Sequence, residues 1–308
     1  MVSVSSPAKS QPERSRNILS ASELKAFNNR SNQQGSMQLA GHLIIMGVSG
    51  YFWLARTNYL IKLPALLIYG FSLAAMFAVV HESSHRTAFA NNRLNDIVAW
   101  WAGVLSGYNS SFYRRYHKWH HRYTQIEGKD PELEDPKPAN ILEYFKEISG
   151  LNWWVGKIKT HYCVATGKLD NMPYIAENAK DEVIKSNRLQ LAVYGTAIAF
   201  SIAVGQPWFI TLWLLPLAIG QPILRLILLA EHTGCTNDNN PLTNTRTTLT
   251  SFPLRMMMWN MPFHAEHHLY PSMPFHALPH AHQKLKKHFT VVDDGYINVN
   301  QNIIENLL

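Results

Sequence analysis

The sequence predicts an all-α integral membrane protein in which four transmembrane helices carry a helical cap on one side of the membrane. Three observations predict this fold class. The apolar residues of the 308-residue chain are concentrated in long runs, the segments between the runs are polar and basic, and three histidine clusters lie in the polar segments. The length is sufficient for a substantial buried core.

Four apolar runs are candidates for transmembrane helices. The clearest, Leu63–Val80, contains no charged residue, and as a helix it spans about 27 Å, close to the hydrocarbon thickness of about 30 Å. The other three runs are Leu39–Leu54, Leu189–Val204 and Trp208–Ala230. The short segment Gly205–Pro207 between the last two runs predicts a tight helical hairpin.

The remaining segments are polar or too short to cross a membrane. Residues 1–37 are interpreted as a flexible polar N-terminal tail, residues 38–290 as the membrane domain and residues 291–308 as a C-terminal tail. The run 97–105, with two tryptophans, predicts an interfacial or re-entrant helix. The charged segment 109–188 predicts a cap outside the membrane.

The distribution of basic residues predicts the orientation. The net charge is +7, and nearly all lysines and arginines lie in the N-terminal segment, in 81–188 or after residue 230. Four spans place these three segments on one side, which the positive-inside rule makes cytoplasmic. Arg225 lies within the last run, where it is either functional or reaches toward the surface.

Three histidine clusters carry the chemistry. His81 and His85 are four residues apart, and His117, His120 and His121 repeat the spacing of His264, His267 and His268. Residues three and four apart share a helix face, so each cluster can aim its nitrogens at one point.

The number of imidazoles favours two metal ions. Eight are too many for one structural zinc, which takes four ligands. With only two cysteines, Cys163 and Cys235, the chain has no disulfide framework or CxxC metal site. A first-row metal with nitrogen ligands beside apolar helices is suited to O2 chemistry, which favours iron.

The three clusters stand as HESSH at 81–85, HKWHH at 117–121 and HAEHH at 264–268. In order and separation they resemble the histidine boxes of the membrane-bound fatty acid desaturase and hydroxylase superfamily, over roughly residues 40 to 290. The resemblance implies a diiron, O2-dependent oxidoreductase with four spans under a cytoplasmic cap. It also implies a ninth ligand, His232, just after the fourth span.

The resemblance points to further residues around the irons. In animal acyl-CoA desaturases an asparagine one turn before the ninth ligand faces an iron through water; here that position is Leu228, and Asn260 is either a substitute or a capping and packing residue. Five carboxylates are candidates to orient ligating imidazoles: Glu82, Asp96, Asp130, Glu231 and Glu266. The segment 244–247 is interpreted as a polar loop over the site.

The leading hypothesis is a desaturase that introduces a double bond into a fatty acyl chain carried by a lipid, an acyl carrier protein or CoA. A hydroxylase or ketolase of an alkyl or carotenoid chain, on the same irons, is the alternative. A membrane metal transporter is a remote third, because transport needs polar residues at mid-membrane depth, whereas the clusters lie outside the predicted spans.

The expected partners are the acyl substrate, the lipid bilayer and a separate electron-transfer protein; no nucleic acid is expected. The chain contains no HPGG haem segment, so electrons are expected from a ferredoxin or a cytochrome b5. The basic cap offers four candidate docking residues: Arg114, Arg115, Lys118 and Arg122.

Overall fold

The computed structural model describes residues 18–56 and 58–308. Helices α1 to α4 cover Ala21–Phe27, Asn32–Leu54, Tyr59–Ser84 and Asn92–Ser106. Helices α5 to α8 cover Ser110–Tyr123, Ile141–Ile148, Leu151–Thr166 and Lys180–Ala203. Helices α9 to α13 cover Leu215–His232, Phe252–Met257, His264–Leu269, Leu278–Leu285 and Tyr296–Glu305. Two short strands, β1 (Thr247–Leu249) and β2 (Val292–Asp294), pair in parallel. Short 3-10 turns lie at Pro131–Glu134, Glu177–Ala179 and Lys286–His288, and a π-helical turn at Ile210–Leu214 runs into α9.

The predicted all-α class is confirmed, and three of the four predicted spans are supported. Within the described residues, Asn32–Leu54, Tyr59–Ser84 and Ile210–His232 are long and apolar enough to cross a membrane. The remaining predicted span, 189–204, lies in α8, a continuous helix of 24 residues. Polar residues in its first half, such as Asn187 and Gln190, keep α8 out of that set. The count of four spans therefore stays a prediction.

Helix α3 forms the centre of the fold. Every residue from Ser72 to Ser84 is buried, and α9 crosses α3 where two glycines meet. A Cβ on Gly220 would lie 1.9 Å from the carbonyl oxygen of Gly70. The absent side chains allow the two backbones to approach closely, as is common between membrane helices. This contact aligns the ends of α3 and α9, which carry predicted ligands.

Helix α4 corresponds to the predicted interfacial helix and packs along α3, leaving Ile97 and Trp101 exposed. An ion-pair network then ties α4 to its neighbours, because Asp96 accepts from both Arg86 and Arg114. Arg86 lies just after α3 and Arg114 lies on α5. The network fixes α5, the helix of the second histidine cluster, against the end of α3.

The segments at the two ends of the chain contribute packed residues. Of the predicted N-terminal tail, residues 1–17 lie outside the described residues; Leu19 is buried against Tyr270 and neighbouring residues. Near the C-terminus, Val299 and Ile303 of α13 pack against α6 and α9. The predicted division into a domain and two tails stays a prediction.

Candidate metal centre

Helices α3, α5 and α11 direct five histidines toward one position. These residues, here called group one, are His81, His85, His117, His121 and His267. One ligand nitrogen from each lies within 4.8 Å of all the others. Two of the pairs, His81 with His85 and His117 with His121, are spaced by one helical turn, which is why they face the same way.

The spacing of the nitrogens in group one fits a bound metal. The Nε2 atom of His121 lies 3.0 Å from the Nε2 atoms of both His117 and His267. Imidazole nitrogens about 2.1 Å from a metal and at right angles to each other are about 3.0 Å apart. The Nδ1 atoms of the same three rings are buried and have no hydrogen-bond partner among the described residues. The Nε2 atoms of His81 and His85 are also buried without a hydrogen-bond partner in the described part of the chain. Converging nitrogens that lack other partners are suited to a first-row metal ion.

A second set of three histidines lies beside group one and comes from α5, α9 and α11. This set, called group two, consists of His120, His232 and His268. His264 adjoins it, because its Nε2 atom is 3.1 Å from the Nε2 atom of His268. The rings of His121 and His268 stack with centroids 4.2 Å apart, so the two groups are neighbours. All nine predicted histidines thus converge, including His232, which was predicted only from the resemblance.

Hydrogen bonds on the outer side of group two fix the rings. The Nδ1 atom of His120 is 2.9 Å from Asp130, that of His232 is 3.0 Å from the carbonyl oxygen of Asn244, and that of His268 is 3.2 Å from the hydroxyl of Thr124. Because a carboxylate and a carbonyl only accept, Nδ1 of His120 and of His232 must carry the proton. The Thr124 hydroxyl donates to the carbonyl oxygen of His120 and therefore accepts from His268. In all three rings Nε2 is then free to bind metal.

The electrostatics of the site favour neutral imidazoles. Burial, reinforced by Arg114 and His120, lowers the pKa of His85 to about 3. Burial and neighbouring histidines also hold the pKa values of five other ligands well below the ordinary value: His117, His121, His264, His267 and His268. For His120 burial acts in the same direction, but Glu132 and Asp130 outweigh it and raise the pKa. Neutral imidazole is the form that binds metal.

Comparison with known proteins agrees with this geometry. The fatty acid desaturase family model matches residues 57–298. The chain belongs to the fatty acid desaturase family. It is 28% identical over 179 residues to an sn-1 oleoyl-lipid 12-desaturase of Picosynechococcus, covering 55% of this chain and 50% of the relative.

Two further relatives are desaturases as well. A Synechocystis sn-1 oleoyl-lipid 12-desaturase is 29% identical over 176 residues, covering 53% of this chain and 48% of the relative. A delta-5 fatty acid desaturase of Caenorhabditis elegans is 28% identical over 104 residues, 33% of this chain and 23% of the relative. The chain spans about half the length of the two cyanobacterial relatives.

In this member of the desaturase family, one of the five predicted carboxylates orients a ligand as expected. Asp130 accepts from His120 and also from the backbone N–H groups of Gln125 and Glu132. A carboxylate that orients a ligand contacts the outer nitrogen of the ring, but the Oε2 atom of Glu231 is 3.4 Å from Nε2 of His264. That nitrogen is the one turned toward group two.

The other three carboxylates contact different partners from those predicted. Glu82 accepts from the backbone N–H of Phe275, so it holds the loop after α11. Glu266 is 2.5 Å from both the hydroxyl of Thr247 and the Nδ1 atom of His282, and through them it fixes α11. Asp96 pairs with arginines, as described above.

The position of Asn260 agrees with a packing role. Its side chain donates to the carbonyl oxygen of Phe275, and it adopts φ of 55°, in a left-handed turn that asparagine tolerates. Leu228, at the place of the asparagine in acyl-CoA desaturases, is partly buried among apolar residues. The Asn260 amide is thus bonded to the loop after α11, and Leu228 has no polar group in its side chain.

Several supporting residues were missed or misassigned from sequence. Thr124 and Asn244 bond to ligands, and Arg246 donates to the carbonyl oxygens of Ala230 and Thr233 at the end of α9. The segment 244–247, predicted as a loop over the site, is buried and holds α9 and α11 in place. The only sequence signal was the density of polar residues in 244–247.

The predicted docking residues divide into two pairs. Arg114 is engaged with Asp96 and Arg115 with Glu182. Lys118 and Arg122 are exposed on α5, whose other face carries the histidines.

Arg225, for which the sequence left two roles open, is partly buried in the protein, where it donates to the hydroxyl of Tyr108 at 3.1 Å.

Proposed function

We propose that the protein is an O2-dependent diiron desaturase that introduces a double bond into a fatty acyl chain. The observation that carries the proposal is the convergence of nine histidines into two adjacent sets at the ends of apolar helices. Two irons held there would activate O2, which, with two electrons from the donor and two protons, would take two hydrogens from an unactivated carbon pair and leave as two molecules of water. Five histidines of group one would hold one iron, and group two with His264 would hold the other.

The chain's own residues would prepare the site for this chemistry. Helices α3 and α5 orient the ligands, and Asp130 and Thr124 accept from the Nδ1 atoms of His120 and His268, so that the Nε2 atoms of these rings would face the metal. Below the histidines Phe77, Tyr108 and Tyr113 pack together with centroids 4.6 to 5.7 Å apart. Phe77 and Tyr113 of this cluster contact His81 and His117, and the cluster would keep water from the reacting carbons.

Among the possible carriers of the acyl chain, a membrane lipid is best supported. Two relatives are named as acyl-lipid desaturases, and the site lies at the ends of apolar spans rather than in a separate soluble lobe. We further propose that α8 is the fourth span and that the histidines and both termini face the cytoplasm, as the distribution of basic residues favours.

Electrons would come from a small acidic redox protein, a ferredoxin or a cytochrome b5. The exposed face of α5 with Lys118 and Arg122 is the proposed docking surface, because one helix thickness separates it from the ligands on the opposite face. Charge reversal at both residues should raise the donor concentration needed for half-maximal turnover and flatten its dependence on salt. An unchanged salt dependence would remove this surface from consideration.

Expression in a host that lacks this activity, followed by lipid analysis, tests the function. The wild type should yield acyl chains lighter by two hydrogens, confined to one lipid class if the carrier is a lipid. Products that gain an oxygen would instead identify a hydroxylase or ketolase. A His120→Ala, His267→Ala double variant that retains full activity would refute the diiron proposal.

A further inference from the structure

Glu231 stands out among the acidic residues around the histidines. It lies at the end of α9 next to His232, and its side chain is 12% exposed. Its Oε2 atom is 3.4 Å from Nε2 of His264, while Oε1 is buried without a hydrogen-bond partner in the described part of the chain. Asp130, in contrast, uses both oxygens in hydrogen bonds.

A buried carboxylate with an unpaired oxygen requires compensation. Transfer of a carboxylate from water to the protein interior costs several kcal/mol unless a cation or hydrogen bonds offset it. Among residues 18–56 and 58–308, no lysine or arginine forms an ion pair with Glu231. The nearest candidate on the same helix, Arg225, donates to Tyr108 instead. A cation bound between Glu231 and the histidines would provide the compensation.

The two sets of histidines also differ in the number of donors. Group one has five imidazoles. Group two with His264 has four, and Leu228 supplies no polar atom there. The Glu231 carboxylate adjoins Nε2 of His264, the nitrogen that turns toward His268. Glu231 is therefore available as a fifth donor to the second set, which has one imidazole fewer than group one.

We propose that Glu231 is a carboxylate ligand of the metal at group two. The inference rests on the proposed pair of metals and adds that they are chemically distinct. The first site offers five neutral nitrogens, and the second offers four nitrogens and one anionic oxygen. A mixed set of imidazoles and one carboxylate is typical of sites for non-haem Fe²⁺, and the carboxylate lowers the net charge of the second site by one.

The test compares Glu231→Gln with a control variant, Glu134→Gln. Glu134 lies in the 3-10 turn Pro131–Glu134 that follows Asp130, but its side chain is exposed and contacts no histidine among the described residues. Purified protein is loaded with isotopically enriched iron, and iron content and Mössbauer spectra are recorded.

The wild type should hold two irons with two different spectra. Glu231→Gln should weaken binding of one iron by at least roughly 10-fold, the lower range for removing groups around a metal, and leave the other spectrum unchanged. Glu134→Gln should retain both irons and both spectra.

The outcomes separate this inference from the proposed function. A wild type that binds no iron contradicts the diiron proposal itself. A Glu231→Gln variant with two irons and unchanged spectra overturns the ligand role alone, because a glutamine oxygen can still accept a hydrogen bond from His264. If Glu231→Gln does not elute as folded protein, Glu231→Asp decides. A changed spectrum at one site then supports ligation, and two unchanged spectra overturn it.

Discussion

The two sets of histidines are held in place by different means. In group one the rings are positioned by helix geometry and by packing, as when Tyr113 stacks on His117 with centroids 5.0 Å apart. The outer nitrogens of three of its rings have no partner within the described residues. In group two every ring has an outer hydrogen bond, two of them from the segment 124–130 and one from the segment 240–247.

This difference suggests a division of roles. Group one depends on the rigidity of α3 and α5, whereas group two depends on loops at 124–130 and 240–247 that reach it from outside. Outer hydrogen bonds tune the basicity of a ligand and the affinity for its metal. Group two is therefore the set whose properties can be altered without changing a ligand.

Removing one ligand from each set should have the largest effect. His267→Ala should release metal from group one and His232→Ala from group two, because each ring supplies a nitrogen to one set only. Either change should lower desaturation by more than roughly 100-fold, beyond the range for outer partners. Metal content and lipid analysis measure the two effects. The exposed His288→Ala is the control, and loss of both metals in either variant would argue against separate sites.

Loss of the charged outer partner should affect group two alone. Asp130→Asn keeps the shape of the side chain but removes the anion beside His120. Affinity for one metal should fall by roughly 10 to 100-fold, as measured by titration with a competing chelator. The exposed Asp135→Asn provides the control. Equal weakening of both metals would mean that Asp130 supports the fold rather than one ligand.

The sequence predicted group one better than group two for a physical reason. The ligands of group one lie within the three histidine clusters, where one-turn spacing determines their facing. The partners of group two lie far from their ligands in sequence: Asn244 follows His232 by twelve residues, and Thr124 meets His268 across 144 positions. Local spacing carries no information about such contacts.

The fold shows the same limit. Long apolar runs predicted α3 and α9, because burial in a bilayer requires continuous apolar sequence. The first half of α8 is polar. Its Asn187 side chain hydrogen-bonds to His161, and its Gln190 side chain hydrogen-bonds to Asn109, both in the protein interior. A helix whose polar residues are satisfied by neighbours does not reveal its position through hydropathy.

A change in the support of α11, the helix that carries ligands of both sets, should reduce the stability of the protein without weakening one metal more than the other. His282 pairs with Glu266 of α11, which supplies ligands to both. His282→Ala leaves one oxygen of a buried carboxylate unpaired, so the free energy of unfolding should fall by about 1 to 3 kcal/mol. Thermal unfolding in detergent measures the change, with the exposed His280→Ala as control. Selective loss of metal from one set would show that α11 does not act as a unit.

The smallest expected effect tests whether charge or mere hydrogen bonding fixes group two. Thr124→Val is nearly isosteric and removes the acceptor for His268 and the donor to the carbonyl oxygen of His120. A neutral hydrogen bond contributes about 0.5 to 1.5 kcal/mol, so metal affinity should fall by roughly 2 to 10-fold, less than for Asp130→Asn. Thr166→Val is the matched control, because its hydroxyl also donates one turn back along a helix but contacts no histidine. If Thr124→Val weakened binding as much as Asp130→Asn, the geometry of the rings rather than the charge of their partners would control the affinity of group two.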